Sequence, residues 1–187
     1  MKKILFILVC IFTIILIYFL KNDNQLFIFE ISDGSISNKK VINYLDSTNK
    51  LVEYVQYNNN DNYRLINLKN DINTNNKIKQ NKDEYAINNL FIKSDYIVLN
   101  IGNQDIAYYL QNTDNLFFHL DNFVKEYEDI IKTIREISKE KIIIIFNYEL
   151  KEKYNDYLFN KMSIISNKYD CKLFNEDKWI QYIKKLY

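Results

Sequence analysis

Two short turns hold most of the polar groups that could do chemistry in this chain. Ser32-Asp33-Gly34-Ser35 follows the apolar run Leu26 to Ile31, and Gly102-Asn103-Gln104-Asp105 follows Tyr96 to Ile101. Each turn holds one of only two glycines in 187 residues. Hydroxyl, carboxylate and carboxamide groups at the carboxyl ends of buried parallel strands form a binding crevice where the winding of an open α/β sheet reverses. These two turns are therefore the candidate site. Structural zinc and iron–sulfur clusters are excluded on ligand supply, because His119 is the only histidine and no cysteine pair exists. No metal and no cofactor is expected. Phosphate-loop and dinucleotide fingerprints are likewise missing.

The elements that position these turns follow from hydrophobic period. Strands are expected at Leu26–Ile31, Leu51–Tyr57, Tyr96–Ile101, Lys141–Tyr148 and Cys171–Phe174. Helices are expected at Asn38–Ser47, Tyr63–Ile72, Glu84–Lys93, from about Asn115 to Lys139, at Lys153–Tyr169 and at Lys178–Tyr187. The Asn- and Lys-rich stretch Asn73–Asp83 shows no period and reads as a loop. The alternation predicts an α/β fold with a five-stranded parallel sheet and helices on both faces. His119 lies beside Phe117, Phe118 and Leu120 on the long helix, a setting that fits a structural residue better than a catalytic one.

The amino terminus carries a different signal. Lys2 and Lys3 precede Ile4–Leu20, an uncharged run of 17 residues, long enough to span a bilayer as a helix. No small-residue cleavage site follows it. The expectation is a single-pass signal anchor over residues 1–21, with residues 22–187 forming an extracytoplasmic domain at the cell membrane. Only Cys171 remains in that domain, so no internal disulfide can form and the core must carry its stability. A formal net charge of +1 gives no electrostatic reason to expect nucleic acid as a partner.

In order along the chain come Asp33-Gly34-Ser35-Ile36-Ser37 after the first strand, Asn62-Tyr63-Arg64 after the second, Ala86 to Asp95 leading into the third, and Gly102-Asn103-Gln104-Asp105 after it. This order resembles the SGNH (GDSL) hydrolases, over Leu26 to about Phe174. The resemblance implies a flavodoxin-like three-layer α/β/α domain and hydrolysis of acyl or acetyl esters. It also implies a nucleophilic serine, a histidine base oriented by an aspartate, and donors to the oxyanion. Aligned without a gap, Gly34 takes the nucleophile position; with a one-residue insertion, Ser35 does. Asn62 stands where the family has glycine, Gly102 and Asp105 match, and Gln104 replaces an asparagine. The terminal D-x-x-H aligns with Asp177-Lys178-Trp179-Ile180, which has no histidine. The resemblance therefore points to a degenerate, non-catalytic domain that binds a ligand or protein partner at the cell surface. The alternative is an active serine esterase with Ser35 as nucleophile and Asp33, Asp105 or His119 as an unusual base.

Overall fold

The computed structural model describes residues 26–33, 43–45, 52–58, 63–80, 83–111 and 114–186. Five strands form one parallel sheet: β1 (Leu26–Ser32), β2 (Val52–Asn58), β5 (Tyr96–Asn100), β6 (Lys141–Ile145) and β7 (Cys171–Phe174), in the order β2-β1-β5-β6-β7. This is an α/β domain whose strand order is that of flavodoxin-like folds, with the reversal of winding between β1 and β5. Strands β1, β5 and β6 are largely apolar, with Glu30 the exception inside β1, because both their faces are covered.

Side chains alternate along each strand, so the sheet separates two cores. Phe27, Phe29, Ile31, Ile97, Leu99 and Ile144 face the larger one. It is closed by α1 (Leu65–Thr74), α2 (Ile87–Lys93), α3 (Asn103–Leu110), α4 (Leu116–Ile137) and α5 (Glu152–Lys168). Ile28, Val98, Ile143 and Ile145 face the smaller core, closed by the helical residues 43–45 and by α6 (Glu176–Leu186) through Leu45, Trp179 and Ile183. Helix α4 contributes eight buried side chains from Leu116 to Ile134, each worth roughly 1.5–3 kcal/mol when an aliphatic or aromatic group is fully buried. The period of three and four seen in its sequence is the stripe that faces the sheet.

Two expectations change. Asn73–Asp83 is not all loop: β3 (Lys77–Gln80) and β4 (Asp83–Ala86) form an antiparallel hairpin, and the helix expected from Glu84 starts at Ile87. One cross-strand pair, Ile78 opposite Tyr85, supplies its apolar contact, too short a signal to register as a period. Residues 103–105, expected as part of a turn, are the start of α3 (Asn103–Leu110). Among the described residues no helix is long and apolar enough to cross a membrane. The run Ile4–Leu20 lies outside them.

Burial pushes the Cys171 thiol up to about 11, so it stays protonated and unreactive near neutral pH.

Candidate functional site

The turns after β1 and β5 are joined by a single carboxylate. Asp33 Oδ2 accepts the backbone N–H groups of Gly102, Asn103 and Gln104 at 3.0, 2.7 and 3.2 Å. The N–H of Asp33 in turn donates to the Asn100 carbonyl at 3.3 Å. A helix leaves its first N–H groups without internal partners and carries a partial positive charge there. Asp33 satisfies both at the start of α3, from 69 to 71 residues away in sequence. Gly102 makes the approach possible. Its φ of +116° is unfavourable for a side chain, and a Cβ there would lie 2.7 Å from the Phe123 ring.

Gln104 and Asn103 send their side chains into a cleft of about 350 Å³, lined also by Ile106, Ala107, Leu110, Asn147 and Glu149. The cleft lies at the carboxyl ends of β5 and β6. Its lining combines carboxamides, which donate and accept, with an apolar side and one carboxylate. Asn147 and Glu149 were not anticipated, because Lys141–Tyr148 reads as one uninterrupted strand; the strand ends at Ile145. Behind the cleft two buried phenols brace the end of β5. Tyr127 donates to the Leu99 carbonyl at 3.2 Å and Tyr148 to the Ile101 carbonyl at 3.0 Å. Burial raises both hydroxyls far above their ordinary range, so they act only as neutral donors.

Asp105 and His119 lie elsewhere. At 100° per residue, Asp105, Tyr108 and Tyr109 occupy the side of α3 opposite Ile106, Ala107 and Leu110. Asp105 is fully buried and accepts the Leu65 N–H and the Arg64 Nε–H, each at 3.0 Å. Burial raises its carboxyl above the usual range, while the Leu65 N–H and the Arg64 guanidinium pull it back. The guanidinium also lies over the Tyr108 ring, 4.2 Å from its centroid. The imidazole of His119 stacks on Tyr109 with ring centroids 5.2 Å apart. The structure thus brings Asp33, Gly102 and Gln104 together and puts Asp105 and His119 across the helix from the cleft. Gly34, Ser35 and Asn62 lie outside the described residues.

Two further polar clusters border the site. Glu30, fully buried inside β1, accepts the Asn100 side-chain amide at 3.0 Å. A carboxylate inside an otherwise apolar strand was the sequence signal for this pair. The other cluster stands at the base of the segment holding Asn62: Tyr57 and Tyr63 both donate to Asp71 Oδ2, at 3.0 and 2.7 Å, and the Asn76 amide donates to Oδ1 at 2.8 Å. Burial, then the Asp71 charge, pushes the Tyr57 hydroxyl up to about 12, and burial raises Tyr63 further. A phenol with an ordinary value near 10 when unfolded and a raised value when folded stabilises fully below pH 10. That stability is lost as pH rises through the folded value. Thermal melts should therefore show a fall in stability above about pH 10 that is diminished in Tyr63→Phe. An identical alkaline profile in wild type and variant would dismiss the tyrosine pair as its cause.

Neither known family models nor curated proteins match this chain.

Proposed function

We propose that this protein is a membrane-tethered, extracytoplasmic domain of the SGNH-hydrolase-like kind that binds its ligand without hydrolysing it. The observation that carries this reading is the state of the site's polar groups. The first N–H groups of α3, otherwise natural donors to an oxyanion, are directed at the protein's own Asp33 carboxylate. The only imidazole stacks on Tyr109, across α3 from the cleft. A serine without a base keeps its proton and is a poor nucleophile, whereas an open cleft lined by three carboxamides is suited to holding a polar ligand.

The test follows hydrolysis of a short-chain activated ester by the full-length protein in detergent, beside Ser35→Ala and His119→Ala, with a covalent serine probe in parallel. Rates equal to the uncatalysed reaction and no labelling of Ser35 are the expected outcome. Labelling at Ser35, with turnover abolished in Ser35→Ala, would replace the binding reading with that of an active esterase.

A further inference from the structure

A parallel sheet with returning helices has two unlike ends, because helices start where strands finish and finish where strands start. Here the first turns of α5 and α6 carry Glu152, Glu176 and Asp177, with Lys153 and Lys178 among them, beside the carboxyl ends of the strands. The last turns, at the opposite end, carry Lys93, Arg135, Lys168, Lys184 and Lys185. Lys141 and Lys172 join them at the starts of β6 and β7. Acids at this end include Glu53, Asp95, Glu128, Glu136, Glu140 and Asp170. Asp95 accepts the Phe27 N–H at 2.9 Å, Lys168 pairs with Glu128 at 2.6 Å, and Arg135 donates to the carbonyls of Tyr169, Glu140 and Asp170. Lys139, Lys172 and Lys185 make no ion pair among the described residues.

Two exposed aliphatics lie at the same end, while Ile66, Phe117 and Phe118 are exposed in the first turns of α1 and α4 at the other. Ile164 and Ile92, 64% and 61% exposed, are the most exposed large hydrophobic side chains among the described residues. Each lies within about one turn of the end of its helix, α5 or α2. Lysines interspersed with exposed aliphatics are the signature of a surface that rests in a bilayer interface, ammonium groups toward the headgroups and aliphatics deeper. β1 also begins here, at Leu26, and only residues 21–25 separate it from the apolar run Ile4–Leu20. Five residues reach at most about 18 Å.

We propose that the strand-start end of the domain is a lipid-facing surface that rests on anionic phospholipid headgroups and holds the cleft facing away from the bilayer. The proposal depends on Ile4–Leu20 being the membrane anchor of the preceding section. The tether makes contact intramolecular, so weak individual lysine–headgroup attractions suffice. Helix α4, 22 residues long, sets the distance between the two ends at about 33 Å.

The full-length chain is reconstituted into vesicles of phosphatidylglycerol and phosphatidylcholine, with an acceptor dye on a trace of headgroups. A donor dye sits at Asn167→Cys, next to Lys168, or at Gln111→Cys, beyond the end of α3. Strong energy transfer from position 167 and weak transfer from 111 are expected. Transfer from 167 should fall toward that from 111 in pure phosphatidylcholine, at about 1 M salt, where the screening length is about 3 Å, and in the triple variant Lys139→Glu, Lys172→Glu, Lys185→Glu. Equal transfer from both positions, or transfer from 167 insensitive to lipid charge, salt and the triple variant, would overturn the proposal while leaving the anchor intact. Release of the whole chain from the vesicles by an alkaline wash would instead show that the anchor is absent, and the proposal would fall with it.

Discussion

Asp33→Ala should destabilise the domain by about 2–4 kcal/mol, read as a fall in Tm of roughly 5–15 °C for a chain of this size. The three N–H groups at the start of α3 converge on one carboxylate oxygen, and Asp33 and Gly102 are both buried, so water does not readily replace it. The loss combines an N-cap, charge-assisted hydrogen bonds and the interaction of an anion with a helix N-terminus. Asp33→Asn keeps an oxygen acceptor and removes the charge, so about half of that loss is expected. Hydrogen exchange separates this from a general weakening. Protection at Gly102, Asn103 and Gln104 should drop in Asp33→Ala more than protection within β6. Unchanged exchange at those three amides would mean that the carboxylate does not hold them.

That prediction concerns an interaction that no local pattern could reveal, and the contrast explains what was readable. β1, β5 and β6 were visible because a strand covered on both faces is a largely apolar run. α4 was visible because 22 residues repeat one amphipathic stripe several times. β7 occupies Cys171–Phe174 as expected. The hairpin of β3 and β4 escaped because its contact with the core comes mainly through Ile78 and Tyr85. α3 escaped because eight residues give a stripe barely two turns long, directly after a glycine that reads as a turn. Within the candidate site, the turn at Gly102 was singled out because a glycine-poor chain had placed a glycine directly after a buried strand; Gly34, after the first strand, lies outside the described residues. The pairing of Asp33 with the start of α3 was not legible, because it depends on β1 and β5 being neighbours in the sheet. Nor was the different facing of Asp105 and Gln104, one residue apart. Their sides are decided by the unanticipated helix, which turns by about 100° between them.

Gly102→Ala should cost about 2–5 kcal/mol, through two separable mechanisms. An L-residue at φ +116° carries a backbone penalty of roughly 1–2 kcal/mol. The new methyl would meet Phe123 Cε2 and Cζ at 2.7 Å and the Tyr148 hydroxyl at 3.1 Å. Phe123 is fully buried and packs edge-on against Tyr148, with ring centroids 5.5 Å apart, so it has no solvent to swing into. Overpacking of this kind costs about 1–3 kcal/mol. Moving Tyr148 would also strain its hydrogen bond to the Ile101 carbonyl. A double-mutant cycle with Phe123→Leu distinguishes the two mechanisms. The smaller side chain relieves the clash and leaves the φ penalty, so the double variant should be more stable than the sum of the single losses predicts, yet still less stable than Phe123→Leu alone. Strict additivity would assign the whole effect to the backbone. A Gly102→Ala protein within about 0.5 kcal/mol of wild type, the ordinary range for a neutral surface change, would mean that the turn between β5 and α3 does not hold the left-handed geometry on which the Asp33 clamp depends.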